Sequence, residues 1–283
     1  WAVEFWPATM FPIEQTACLF GDGVRSLYDP KQLTAAIDSM DRPAGVATTK
    51  PDREVSIVTK PAEPGVTLIT PTGDRPVSFA LCEHWMRRQT YRGPVQWIVT
   101  DDGSVPTTVT AGQEYHRLPP RKGNTHTLPR NLRHALARVR HDKLLIIEDD
   151  DWYAADYVEK QVARLDVAPM VGASFARYYW PRLARFREFP DHPHASLCRT
   201  GIRREHFGDL LRCTDGNQSV DLRLWDTVPG RRFDDEILCI SPKGMPGRPS
   251  GGGDPDDGRP DSDLSVLRRW IGEDLDLYRQ VLP

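Results

Sequence analysis

Residues 143–165, KLLIIEDDDWYAADYVEKQVARL, decide how the chain is read. Leu144 to Ile147 form an unbroken apolar run, as a strand buried on both faces requires. Four acids follow at once, Glu148, Asp149, Asp150 and Asp151, and then Trp152 and Tyr153. Tyr157, Val158, Gln161, Val162 and Leu165 recur at helical spacing beyond them. At an effective dielectric of about 20, two carboxylates roughly 4 Å apart repel by about 4 kcal/mol. A buried strand that runs into four of them therefore calls for a cation, a basic partner or raised pKa values. A helix N-terminus favours an acid, which accounts for one of the four. Hard divalent cations such as Mg2+ and Mn2+ take oxygen ligands, commonly one or two carboxylates together with substrate phosphates. The acidic run has that chemistry.

The same strand-then-polar-turn pattern precedes it. VTLIT (Val66–Thr70) ends in PTGDRP, and the spacing of Phe79, Leu81, Cys82, Trp85 and Met86 predicts a helix over Val77–Thr90. VQWIVT (Val95–Thr100) ends in DDGS, a weaker strand surrounds Tyr115–Leu118, and a helical stripe covers Leu128–Val139. Strands alternating with helices imply parallel pairing, and ligands then gather at the carboxyl ends of the strands. TPTGDR, DDGS and EDDD are thus expected on one edge. Farther on, the pattern predicts strands over Gly172–Tyr179 and His194–Thr200, helices over Arg203–Leu211 and Ser219–Val228, and a terminal helix over Leu264–Val281. The Gly- and Pro-rich stretch between Ile240 and Leu264 predicts a mobile loop. Residues 1–64 show poor periodicity and one expected helix near Lys31–Met40. The expected organisation is an appendage and connector (1–64), an α/β core with a mixed, mainly parallel sheet and helices on both faces (65–243), and an acidic loop with a C-terminal helix (244–283).

Composition is that of a globular chain, with 39% hydrophobic and 27% charged residues. No apolar run approaches the ~20 residues that cross a bilayer, and no export signal is visible. Five scattered cysteines, none in a CxxC pair, favour reduced thiols over a disulfide framework, so a cytoplasmic setting is expected. The net charge of −3 hides a split: 117–141 carries Arg, Lys and His without an acid, whereas 254–263 is mostly acidic. Such a split can mark a surface for an anionic partner or a solvated helix face.

Four motifs in order, TLITPTGDRP (67–76), WIVTDDGS (97–104), LLIIEDDDWYAADYV (144–158) and SVDLRLWD (219–226), resemble a glycosyltransferase of family 2. The resemblance covers about Val66 to Met245. It implies a GT-A fold, a nucleotide-sugar donor, with UDP the expected nucleotide, and Mn2+ or Mg2+ as cofactor. It places nucleotide contacts at Thr70, Pro71, Thr72, Arg75, Asp101 and Asp102, with Asp149 and Asp150 beside the diphosphate. It assigns the metal to a DxD pair. Asp149 and Asp151 are the expected pair, although Glu148 and Asp150 also stand two apart. Family members often carry a His near the carboxyl end that approaches the metal or diphosphate; the nearest counterpart here is SGGGDP, where either Asp254 substitutes or the ligand is lost. The resemblance makes Asp221 the general base of a single inverting displacement. Asp215 and Asp226 are rival bases, and a plain ion pair of Asp221 with Arg223 or Arg204 is the structural alternative. His194 is a further residue that could face the site.

The acceptor is open. RYYWPRLARFREF (177–189) interleaves Arg with aromatics, a combination that stacks bases and tracks phosphates, so a hydroxymethylated base of phage DNA is one candidate. Aromatics stack equally on sugars, so a glycan is the other. Two further readings are a nucleotidyltransferase that makes activated sugars, which would need a longer Gly-rich phosphate loop than GDRP, and a non-catalytic binding module on a decayed transferase fold.

Overall fold

The computed structural model describes residues 65–110, 112–123, 125–190, 194–215, 219–233, 236–249, 251 and 253–281. The expected appendage and its helix lie outside them. A seven-stranded sheet forms the centre, built from β1 (Val66–Thr72), β2 (Val95–Asp101), β3 (Gln113–Arg117), β4 (Lys143–Ile146), β6 (Met170–Ala173), β9 (Gly201–Arg203) and β10 (Arg231–Phe233) in the order β10-β6-β9-β4-β1-β2-β3. Strands β4, β1, β2 and β3 are parallel neighbours, β10 pairs parallel with β6, and only β9 runs antiparallel to its neighbours β4 and β6. The expected mixed, mainly parallel sheet is present.

Both faces of this sheet are covered, which is why its central strands read as continuous apolar runs. Val66, Leu68, Leu145 and Ile147 face one core with helices α1 (Pro76–Arg87), α3 (Tyr157–Arg164), α6 (Ser265–Ile271) and α7 (Leu275–Val281). Ile69, Ile98, Leu144 and Ile146 face the other, with α2 (Leu128–Leu136), α4 (Phe207–Cys213) and α5 (Val220–Thr227). Pro76 at the start of α1 and Pro129 at that of α2 suit the first helical turn, where an N–H has no partner to lose.

A second sheet, in the order β12-β8-β7-β11-β5, joins β5 (Trp152–Tyr153), β7 (Ala176–Trp180), β8 (Arg185–Phe189), β11 (Cys239–Pro242) and β12 (Arg259–Pro260). Four expectations are corrected here. The single strand expected over 172–179 is two strands, β6 and β7, in different sheets, and β7 turns into β8 through Ala184 at φ 46°. The strand expected over 194–200 is a 3-10 turn, Leu197–Arg199, leading into β9. The terminal helix divides at Gly272 (φ 60°), a conformation that a β-carbon disfavours. Part of the expected mobile loop is fixed in place. Gly247 lies so close to the turn after β1 that a β-carbon there would stand 2.3 Å from the Asp74 carbonyl oxygen, and Arg248 N–H donates to that same oxygen at 3.0 Å.

Trp85 of α1 ties several elements together. It is fully buried, its ring stacks on Tyr278 of α7 with centroids 6.1 Å apart, and it meets Trp152 of β5 edge-on at 6.5 Å. Trp85→Ala is expected to cost about 3–5 kcal/mol. Denaturant titration followed by circular dichroism checks this, and a loss below about 1 kcal/mol would contradict the packing described.

Candidate functional site

The register of β1 and β4 brings the first site residues together. Ile69 pairs with Ile146, so three residues farther along each chain Thr72 lies beside Asp149. The Thr72 hydroxyl donates to Asp149 Oδ2 at 2.7 Å, and Arg75 Nη1 donates to Asp149 Oδ1 at 2.7 Å. Arg75 Nη1 also stands 3.3 Å from Asp150 Oδ1, while its other nitrogens donate to the carbonyl oxygens of Arg248 and Pro249. One guanidinium therefore links the end of β1, the acidic run and the loop after β11.

A cleft of about 310 Å³ opens at this edge. Pro71, Thr72, Gly73 and Arg75 line it from the β1 turn, and Glu148, Asp149 and Asp150 from the β4 turn. Arg121, His126 and Asn131 line it from the start of α2 and the loop before it, and Lys243, Arg248 and Gly251 from the loop after β11. Acids occupy one wall and cations surround them. Such a lining suits a polyanion held together with a divalent cation.

Glu148, Asp150 and Asp151 each offer a carboxylate oxygen within 4.8 Å of the others. Burial, aided by the charges of Asp151 and Asp150, pushes the Glu148 carboxyl up to about 8. Burial likewise pushes Asp149 up to about 6, against the opposing pull of Arg75, and it raises Asp151, with the Asp150 charge adding to the effect. Asp150 Oδ2 is buried without a hydrogen-bond partner among the described residues. Lys243, held on the ring of Tyr178 at 4.6 Å, is itself shifted upward by Asp151 and Asp150 in spite of its burial. The acidic repulsion inferred from the sequence is thus present and only partly neutralised.

The remaining expected site residues are dispersed. Thr70 is buried and accepts the Trp97 indole N–H at 2.9 Å. Asp101 is fully buried: Oδ1 accepts from Gly103 N–H and faces Arg117, and Oδ2 accepts from Thr107 N–H and the Tyr115 hydroxyl. Asp102 is gripped by Arg130 at 3.0 Å and Arg248 at 2.6 Å. None of these three lines the cleft. Asp254 accepts the Asp256 N–H at 2.9 Å as the cap of a short 3-10 turn, and it too lies outside the lining. Asp221 sits in the first turn of α5, half-exposed, with Oδ2 3.8 Å from His194 Nε2. Of its expected rivals, Asp215 pairs with Arg133 and Asp226 is exposed. Lys243, Arg248 and Arg121 escaped the sequence reading. The only signals for them were the acid-free stretch that contains Arg121 and the isolated cations of a Gly- and Pro-rich loop.

The profile of the Glycosyl transferase family 2 matches residues 67–220, more than half of the chain. The chain belongs to glycosyltransferase family 2. The parallel sheet with helices on both faces agrees with the GT-A fold expected for that family. Among solved structures, the chain is similar to TarS of S. aureus (12% identity, TM-score 0.45, covering 62% of this chain and 36% of that one). It is also similar to TarS 1-349 in complex with UDP-GlcNAc (10% identity, TM-score 0.40, 68% and 60%). A third is the mannosyltransferase PcManGT of Pyrobaculum calidifontis, in complex with GDP-Man and Mn2+ (17% identity, TM-score 0.44, 76% and 69%). The chain thus spans little more than a third of the full TarS structure. A search of the curated proteins found no match. No described helix of this family 2 chain is long and apolar enough to cross a membrane.

The raised Glu148 pKa sets a pH dependence. An acid whose folded-state pKa exceeds its ordinary value of 4.5 adds stability below that value, and the contribution is lost as pH rises through about 8. Chelator-treated protein is therefore expected to lose Tm between about pH 4.5 and 8 from this group, and Glu148→Gln should flatten that fall. Scanning calorimetry across the window checks it; identical slopes in the two proteins would refute the assignment.

Proposed function

We propose that this family 2 chain transfers a sugar from a nucleoside diphosphate sugar, UDP-sugar in the first instance, to an acceptor hydroxyl with inversion, with Mn2+ or Mg2+ as cofactor. The observation that carries this reading is the grouping of Glu148, Asp150 and Asp151, the first two of which line the cleft together with Arg75, Arg121, Lys243 and Arg248. The carboxylates fit a hard divalent cation: they are oxygen donors, mutually repelling, and one buried oxygen of Asp150 has no hydrogen-bond partner among the described residues. Asp149, with both oxygens engaged by Thr72 and Arg75, serves to hold the run in place. This narrows the expected DxD choice to the 148/150 spacing together with Asp151. When bound, the cation stabilises charge on the departing nucleoside diphosphate.

The chain's own groups supply the rest. Arg75, Lys243 and Arg248 surround the diphosphate with positive charge, and Pro71 and Thr72 border the nucleoside end. Asp101, held by Gly103, Thr107, Tyr115 and Arg117, shapes the β2 turn, and Asp102 fixes Arg130 and Arg248. Asp221 is the proposed general base. A positioned carboxylate removes the acceptor proton as the new bond forms, a contribution of about 10²–10⁴-fold, and Asp221 is held through Oδ1 by the Leu222 N–H.

A glycan acceptor is favoured over a modified DNA base. The β7–β8 hairpin carries the aromatic residues Tyr178, Trp180 and Phe189, but its arginines are occupied. Arg187 pairs with Asp257, Arg185 donates to the Gly258 carbonyl, and Arg177 and Arg259 both face Glu188. The acidic stretch 254–263 thus covers charges that would otherwise track phosphates. The nucleotidyltransferase reading lacks support, since only Gly73, Asp74 and Arg75 separate β1 from α1 and leave no long phosphate loop.

A panel of UDP- and GDP-sugars assayed with Mn2+, with and without chelator, tests the proposal: donor consumption is expected only with metal. Binding without turnover for every donor would leave a non-catalytic module instead. Asp150→Asn and Asp151→Asn are expected to lose Mn2+-dependent UDP affinity by calorimetry. Asp221→Asn should keep that affinity and lower kcat by about 10²–10⁴-fold; unchanged turnover would remove Asp221 as base.

A further inference from the structure

Cys198, Cys239 and Asp151 form a second convergence of metal-binding atoms. One Sγ from each cysteine and one Asp151 carboxylate oxygen lie within 4.8 Å of one another. Three separate elements deliver them: the 3-10 turn before β9, the start of β11, and the turn after β4. All three residues are buried, and nothing in the transferase reading uses the two thiols.

We infer that these three side chains constitute a binding site for a thiophilic divalent ion, of the Zn2+ or Cd2+ class, next to the oxygen-lined site of the cleft. Metal–sulfur bonds of about 2.3 Å and metal–oxygen bonds of about 2.1 Å put the ligand atoms of a tetrahedral site roughly 3.6–3.8 Å apart. Atoms already within 4.8 Å reach that spacing by closing about 1 Å or less. Ser241 Oγ, 4.0 Å from Cys198 Sγ, or a water molecule completes the fourth position.

Arg199, almost wholly buried, lies beside the cluster and donates to Ser241 Oγ at 2.9 Å. Without the ion, the Arg199 guanidinium faces the Asp151 carboxylate, and hydrogen bonding to Cys239 and burial hold the Cys198 thiol well above its ordinary range. Binding forms two metal–thiolate bonds and one metal–carboxylate bond and releases two protons, one from each thiol. A dication, two thiolates and one carboxylate sum to −1, which Arg199 offsets. Lys243 also acts on Asp151 and Cys198, so the ligand charge is not isolated in the interior. A small second cleft is bordered by Cys239 together with Arg199 and Leu238. Because Asp151 belongs to both groups of ligands, an ion held by the thiols withdraws it from Glu148 and Asp150. That consequence, inhibition by zinc, rests on the function proposed above; the thiolate site itself does not.

Titration of the reduced, full chain with Co2+ tests the site without reference to transferase activity. The expected result is a sulfur-to-cobalt charge-transfer band in the near ultraviolet that Zn2+ abolishes, that is lost in Cys198→Ser and in Cys239→Ser, and that survives in Cys82→Ser. Absence of the band in folded wild-type protein overturns the proposal, as does a band that persists in both Cys198→Ser and Cys239→Ser. Should either variant fail to fold, 113Cd NMR of the wild-type protein decides. A resonance in the range of two thiolate donors supports the site, and one in the all-oxygen range refutes it.

Discussion

The structure depends on how a buried strand can end in four acids. Parallel sheets place strand termini at one edge, and helices on both faces remove the flanking residues from water. Acids at such an edge face strong mutual repulsion. The fold meets it with Arg75, which binds Asp149, approaches Asp150 and fastens the loop after β11 through two carbonyl oxygens. Lys243 and Arg248 arrive with that loop. Burial still raises the Glu148, Asp149 and Asp151 carboxyls beside these cations, which agrees with the cation proposed for this edge.

Much of this was legible in the sequence, for reasons that vary by element. β1, β2 and β4 were read with nearly correct limits because burial on both faces leaves no alternation to misread. The amphipathic stripes of α1, α2 and α3 survived for the equivalent reason: each packs one face on the sheet. The failures are places where a long-range pairing overrides the local pattern. Residues 172–179 look like one strand, yet 170–173 join the central sheet and 176–180 the second. The apolar Leu197 and Cys198 belong to a turn, and the strand begins at Gly201, where backbone pairing with Leu145 and Val171 decides. Arg248 meets Asp74 and Asp102 across more than a hundred residues; composition marks its loop only as rich in Gly and Pro.

The same contrast holds at the site. A run of acids after a strand announces cation chemistry, but its register does not follow from spacing alone. Asp149–Asp151 and Glu148–Asp150 are both separated by two. The pairing of Ile69 with Ile146 carries Thr72 and Arg75 to Asp149 and leaves Glu148, Asp150 and Asp151 grouped, which is the ground for the ligand set proposed above. Asp101 and Asp102 teach the converse. Their motif resembles a nucleotide contact, and spacing gives no sign that Arg117 would face Asp101 or that Arg130 and Arg248 would grip Asp102. Composition marks 254–263 as a flexible acidic stretch, but Asp257 pairs with Arg187 and the Gly258 carbonyl accepts from Arg185 of the hairpin.

The central claim is that Glu148, Asp150 and Asp151 together hold the cation that accompanies a nucleoside diphosphate. Anomalous diffraction at the manganese edge, from crystals grown with Mn2+ and UDP, addresses it most directly. One peak between these three carboxylates and the diphosphate, with Asp149 still bound to Arg75, is the predicted result. An ion coordinated by other residues, or a nucleotide bound in the cleft with no ion beside these acids, would contradict the account.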